Sequence, residues 1–190
     1  MQRNAYVPTP ARHPIGVSAG WQTRRWYYTP KSRRPYSVRQ ISPGDRRLLA
    51  EFALALGKAT PEREVASVRE LSDMLFDRVL SDGADKATGF AALEATPNGD
   101  RIIGVSAFAP TSLDEASFTI GVDSEHRQEQ IGQILLATLI RQVKRVGVRR
   151  LSGQMTWSNR PMHLLAQSCG FAVEPVAGDR TQRKLVLSLK

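Results

Sequence analysis

The sequence predicts an α/β (α+β) domain with a central mixed, mostly antiparallel twisted sheet of about seven strands, flanked by about four helices. Two windows, Val65 to Leu80 and Ile131 to Val146, place apolar residues at helical spacing among shorter runs rich in β-branched and aromatic residues. Between two of those runs stands Pro97-Asn98-Gly99-Asp100, a tight-turn signature that makes its flanking strands antiparallel. At 190 residues and 41% hydrophobic content, the chain can bury a sizeable core in one domain with an appendage.

The elements follow in order from Tyr36. Ser37 to Ile41 is a strand, and Ser42 followed by Pro43 is a helix start, the serine as cap and the proline in the first helical position. That helix runs to about Leu56. After Gly57 and Pro61 a second helix carries Val65, Val68, Leu71, Met74, Leu75, Phe76 and Val79 and stops at Asp82-Gly83. Strands are expected over Thr88 to Ala95, Arg101 to Ala109 and Ala116 to Val122. A third helix, Ile131 to Val146, puts Ile131, Leu135, Leu139, Val143 and Val146 on one stripe and closes at Gly147. Val148 to Trp157 is a strand, Asn159 to Ser168 a short helix ending at Cys169-Gly170, and Phe171 to Val173 and Lys184 to Leu189 are the last strands.

Charge divides the chain at residue 36. The net charge is +9, but residues 1 to 40 carry eight cations and no acid, so the remainder sums to only +1. Five prolines and the cluster Trp21, Trp26, Tyr27 and Tyr28 make residues 1–35 an extended arm preceding a domain over 36–190. Three roles for the arm stay open: a tail packed on its own domain or on a homodimer mate, a nucleic-acid contact through residues 1–36, or an organelle-targeting peptide. The one cysteine, Cys169, excludes an internal disulfide, and His13, His126 and His163 are too scattered for a metal centre, so no metal is expected. No apolar run reaches the roughly 18 residues of a membrane span. No membrane association and a cytoplasmic location are expected.

The segment most informative about chemistry is Ala116 to Leu136, in which an extended apolar run enters a polar loop that opens directly into a helix. Such an arrangement aims unpaired backbone N–H groups at a phosphate. Together with the element order, the V-D-S-E-H-R-Q-E-Q-I-G loop and the later N-R-P-M-H-L-L-A-Q-S-C-G-F segment resemble the GNAT N-acetyltransferases over about residues 36–190. The segments RPYSVRQISPGD, EASFTIGV and NRPM are most similar to the acetyltransferase domain of bacterial protein lysine acetyltransferases. The resemblance implies a GNAT fold and acetyl-CoA as co-substrate. Its pyrophosphate pattern, Gln/Arg-x-x-Gly-x-Gly/Ala, falls on Arg127, Gln128, Glu129, Gln130, Ile131 and Gly132, with Gln133 following in the helix. Arg127 and Gly132 fit that pattern, whereas Gln130 stands where a glycine is expected. If residue 130 must be left-handed, a side chain there costs about 1–2 kcal/mol.

The resemblance also implies that the thioester lies along Ile120, Gly121 and Val122, and that Asn159 contacts the cofactor or caps its helix. Acetyl transfer to an amine needs a base, because a lysine with a pKa near ~10.4 is almost wholly protonated at neutral pH. Glu115 stands where related lysine acetyltransferases place a glutamate, and burial against Phe118 would raise its pKa usefully. Many GNAT enzymes supply a tyrosine as general acid; Ala166 occupies that register here. Around the first two helices seven acids, Glu62 to Asp85, outnumber Arg63, Arg69 and Arg78 for a local net of −4, which draws an amine acceptor. The competing reading is a non-catalytic GNAT-like binding module with a degenerate loop, its basic arm serving protein or nucleic-acid contacts.

Overall fold

The computed structural model describes residues 25–27, 35–81, 87–127 and 129–189. The rest of the arm, Asp82, Gly83, Asp85 and Gln128 lie outside the described residues. Strand β1 (Arg25–Tyr27) pairs antiparallel with β2 (Tyr36–Gln40), so three residues of the basic arm form an edge of the sheet. A 3₁₀ turn over Pro43–Asp45 then leads into α1 (Arg46–Ala59). The Asp45 carboxylate accepts the Ser42 backbone N–H at 2.8 Å and its hydroxyl at 3.0 Å, and Arg39 donates to both carboxylate oxygens at 2.6 and 2.7 Å. Burial raises the pKa of Asp45, but the hydrogen bonds from Arg39 and Ser42 outweigh it and hold the group below the usual carboxylate range.

Helix α2 (Val65–Asp73) continues into a π-helical turn over Met74–Val79, which buries Met74, Leu75 and Val79. Three antiparallel strands follow: β3 (Thr88–Thr96), β4 (Gly99–Pro110) and β5 (Glu115–Val122). The hairpin predicted at Pro97-Asn98-Gly99-Asp100 is present, and because Thr96 pairs with Gly99 its two-residue turn is Pro97-Asn98. Helix α3 (Ile131–Arg145), β6 (Arg150–Thr156), α4 (Arg160–Ser168), β7 (Ala172–Val176) and β8 (Asp179–Ser188) complete the domain. The sheet order is β1-β2-β3-β4-β5-β6-β8-β7, and β5–β6 is its one parallel pairing among the described residues. This is the mixed, mostly antiparallel α/β sheet with four helices that the sequence predicts.

Two apolar layers sandwich the sheet. On one face α1, α2 and the π turn pack Leu49, Phe52, Leu56, Leu71 and Leu75 against Ala91, Leu93, Ile102 and Val105. On the other face Ile131, Leu135, Leu139 and Val143 of α3 pack against Ala92, Ile103, Phe108 and Phe118. Because β3 and β4 are covered on both sides, their sequences FAAL and IIGVSAFA are nearly continuous apolar runs rather than alternating ones.

Three expectations need correction. Val146 is not on the buried stripe: α3 ends at Arg145, and Val146 is 55% exposed. Val65, at the first position of α2, is likewise exposed. The last strand begins at Asp179 rather than Lys184, because β8 is held between β6 and β7 and forms there despite the polar, non-alternating sequence DRTQR.

Candidate functional site

Strands β5 and β6 pair only over Glu115 to Ser117 against Arg150 to Ser152. Beyond Ser117 they part, although β5 continues to Val122 and β6 to Thr156. Phe118 stands at the parting point. Its ring lies over β6 where Gly153 has no side chain, so closely that a Cβ on Gly153 would stand 2.6 Å from the ring, and it also packs 5.2 Å from the Phe171 ring. The parting leaves a gap at one end of the sheet, bordered by the free edge of Phe118 to Val122.

Strand alternation assigns the side chains around that gap. A Cβ on Gly121 would meet Leu71 at 2.7 Å and Leu56 at 3.0 Å, so this residue faces α1 and α2 and permits their close approach. Glu115, Ser117 and Thr119 share its face. Ile120 and Val122 look the other way and pack, partly buried, on the layer beneath α3 and α4.

Val122 leads through Asp123 and a 3₁₀ turn, Ser124–His126, to the loop before α3. Arg101 binds Asp123 and lies 3.7 Å from Glu125, while His126 sits 3.8 Å from both Glu94 and Asp123. With its side chain 12% exposed, His126 is turned into the body rather than lying on the surface. Asp123, Glu125 and His126 bring donor atoms within 4.8 Å of one another, but the Arg101 guanidinium is the cation already bound to that group. This ion cluster fixes the root of the loop.

Gln130 is left-handed, with φ 64° and ψ 7°, the one non-glycine residue with positive φ among the described residues. Its carbonyl accepts the Ile134 N–H at 3.0 Å, and no side chain caps the helix. The N–H groups of Ile131, Gly132 and Gln133 therefore have no intrahelical acceptor. The Gln130 side-chain oxygen is buried without a hydrogen-bond partner. Arg127 is exposed beside the loop, Glu129 is buried, Gln133 is exposed, and Gly132 packs toward Leu165 of α4 and Val122. Thus the structure brings Ile120, Val122, Gln130, Ile131 and Gly132 to one end of the sheet.

Asn159 accepts the Met162 N–H through its side-chain oxygen at 3.1 Å and so caps α4. Ala166 is fully buried. Burial pushes the Cys169 thiol up, and its contact with the Ser168 hydroxyl only partly opposes this. Glu115 departs from expectation. Its side chain is 48% exposed, it lies 3.5 Å from Arg150, and strand alternation puts it on the face opposite Phe118, so burial against that ring does not occur. It is instead on the α1–α2 face, two residues from the point where β5 and β6 part. The Phe118–Gly153 contact at the parting point is absent from the sequence expectations; only a glycine inside a strand hinted at it.

The chain matches the Acetyltransferase (GNAT) family over residues 54–171. Among solved structures it is similar to the GNAT domain of S. lividans PAT, with 18% identity and a TM-score of 0.61 over 82% of this chain and 91% of that one. The PaiA N-acetyltransferase of Thermoplasma acidophilum, in complex with coenzyme A, is similar at 18% identity and a TM-score of 0.61, covering 81% of this chain and 99% of that one. The ribosomal-protein-S18-alanine N-acetyltransferase of Escherichia coli is similar at 20% identity and a TM-score of 0.58, covering 82% and 94%. At these identities the likeness is one of fold.

Proposed function

The chain belongs to the GNAT acetyltransferase family, and we propose that it is an N-acetyltransferase moving an acetyl group from acetyl-CoA to a primary amine, with a protein lysine as the acceptor. The observation that carries this reading is the left-handed Gln130. Holding a non-glycine residue there costs about 1–2 kcal/mol, and such strain persists where the surroundings over-determine it, as at ligand clamps. The loop keeps the backbone shape of a phosphate cradle although its sequence lacks the glycine.

Acetyl-CoA supplies an activated thioester carbonyl, and the chain's residues do the rest. The N–H groups of Ile131, Gly132 and Gln133, at the positive end of the α3 dipole, hold the pyrophosphate, with the Arg127 guanidinium beside them. The gap between β5 and β6 accepts the pantetheine arm alongside Ile120 to Val122, and Asn159 holds the entry of α4. Glu115, on the α1–α2 face, takes a proton from the incoming amine through one bound water, since two residues of strand separate it by about 7 Å from the parting point. The neutral amine forms the new C–N bond as the C–S bond breaks, and the nitrogen then releases its surplus proton to solvent, leaving the neutral amide. Ala166 offers no hydroxyl and Cys169 is a weakened acid, so the thiolate takes its proton from solvent.

The acidic surface of α2 supports an amine acceptor. Burial, and secondarily the charge of Asp73, push the Glu70 carboxyl up, and a cationic group approaching this surface relieves that repulsion. The test incubates the full chain with acetyl-CoA and a lysine-containing peptide and follows both free thiol and peptide mass. Thiol release matched by one acetyl group on the lysine is expected. The absence of both acetyl-CoA binding and transfer to any amine would favour the binding-module reading instead.

A further inference from the structure

The near-neutral total of residues 41–190 conceals two opposite halves. Residues 41–129 hold nine cations and sixteen acids, net −7, while residues 130–190 hold ten cations and two acids, net +8. No acid occurs between Gln130 and Val173. The ion pairs largely follow this division, with Arg150–Glu115 crossing it. Arg39, just before the first half, and Arg47 and Arg101 within it lie against Asp45, Glu51 and Asp123, whereas Arg141, Lys144, Arg145 and Arg149 have no carboxylate partner among the described residues.

Those four cations occupy one end of the molecule. Arg141, Lys144 and Arg145 stand three and four positions apart on the exposed side of α3, and exposed Arg149 follows just after Gly147. An open hollow of about 260 Å³ lies among Lys144, Gly147, Val148, Arg149 and Leu189. The negative end of the α3 dipole accounts for Lys144 and Arg145, but it acts over the last turn only and leaves Arg141 and Arg149 unexplained. The pyrophosphate of acetyl-CoA does not explain them either, because the cofactor loop is at the opposite end of α3, about 15–20 Å away at 1.5 Å per residue.

We infer that the α3 C-terminus and the start of β6 form a second anion-binding surface, and that its partner is the phosphodiester backbone of a nucleic acid. Three of the four cations are arginines, whose planar forks bind phosphate oxygens in pairs. Closely spaced, unneutralised cations repel one another in the free protein, and a polyanion removes that repulsion by releasing its own counterions. The arm of the same chain carries a matching chemistry in sequence, seven cations without an acid among Trp21, Trp26, Tyr27 and Tyr28. This inference stands apart from the acetyl-transfer reading.

The test uses the full chain and fluorescein-labelled single strands of RNA and of DNA, about 30 nucleotides long, with anisotropy measured between about 50 and 200 mM salt. The variant Arg141→Gln/Lys144→Gln/Arg145→Gln/Arg149→Gln is compared with a control, Arg46→Gln/Arg47→Gln/Lys58→Gln/Arg69→Gln, which loses the same charge from the acidic half. The patch variant is expected to bind at least tenfold more weakly at intermediate salt. Its log K against log salt slope should shrink by about 0.7 for each lost contact, close to 3 in all. The control should bind like the parent, and both should melt within a few degrees of it. The stronger of the two strands names the polymer. Equal losses in the two variants, an unchanged patch variant, or equal displacement of the nucleic acid by polyglutamate or by phosphatidylserine vesicles would overturn the inference.

Discussion

Replacing Gln130 by glycine removes the left-handed penalty of about 1–2 kcal/mol and an unpartnered buried oxygen whose desolvation costs about 1–3 kcal/mol. Against these stand the extra chain entropy of an unfolded glycine, about 0.5–1 kcal/mol, and the lost contacts of the glutamine stem. The balance is a stabilisation of about 1 kcal/mol, or a rise in Tm of about 2–4 °C for a domain of this size. Because the backbone at φ 64° suits glycine without rearrangement, the phosphate-facing N–H groups keep their aim and acetyl-CoA affinity should stay within about threefold of the parent. The opposite perturbation, Gln130→Val, puts a β-branched side chain where positive φ is a true outlier; it should lower Tm and weaken acetyl-CoA by about tenfold, near 1.4 kcal/mol. Differential scanning fluorimetry and titration calorimetry read both quantities. A Gln130→Gly variant that melts lower than the parent would refute the strain argument. One that binds acetyl-CoA more than tenfold tighter would show that the glutamine crowds the phosphates instead of fitting beside them.

Glu115→Gln should cut turnover by about 10²- to 10⁴-fold while acetyl-CoA binding and Tm stay near the parent's, since its exposed pair with Arg150 contributes at most about 1 kcal/mol; unchanged turnover removes Glu115 from the mechanism. Asp45→Asn breaks the largely buried pair with Arg39 and should cost about 3 kcal/mol, seen in urea denaturation at neutral pH. The Asp45 pKa is depressed in the folded state, so its contribution is present above the unfolded value of about 3.9 and is lost as pH falls through the folded one. The gap between parent and Asp45→Asn should therefore narrow in acid, and a gap that widens below that pH would be inconsistent. Gly153→Ala places a Cβ 2.6 Å from the Phe118 ring and should destabilise by about 1–3 kcal/mol. Adding Phe118→Leu should restore part of the loss if the contact is the cause, and no recovery would count against it.

The elements legible in the sequence were those whose local signals agree. Helix α3 has a strong apolar stripe and a glycine after its end, the β3–β4 hairpin has a defined turn pair, and α4 begins with Asn159 as cap and a proline at its second position. The loop before α3 was legible as a strand-to-helix connection, and Gln130 was legible as its irregular position; its left-handed backbone entered only as a condition, because only the fold decides φ at a non-glycine residue. Long-range packing set the remainder. The polar start of β8 is a strand because β6 and β7 flank it, and β1 is one because β2 presents an open edge. His126 is turned inward by Glu94 and Asp123, one of which is remote in sequence. Glu115 was placed just before its strand, whereas β5 begins at that residue, and its exposure and its face depend on the pairing with β6. The division of charge between the halves is written in the sequence and vanishes only when the sum is taken over the whole domain.

The central claim is that a strained but shape-retaining loop at the α3 N-terminus binds acetyl-CoA. Titration calorimetry of the full chain with acetyl-CoA tests it most directly, with the adenosine-free acetyl-pantetheine as the comparison. Saturable one-to-one binding of acetyl-CoA, weakened by at least tenfold when the pyrophosphate is missing, is the expected result. No heat of binding at millimolar acetyl-CoA, or equal affinity for the two ligands, would contradict it.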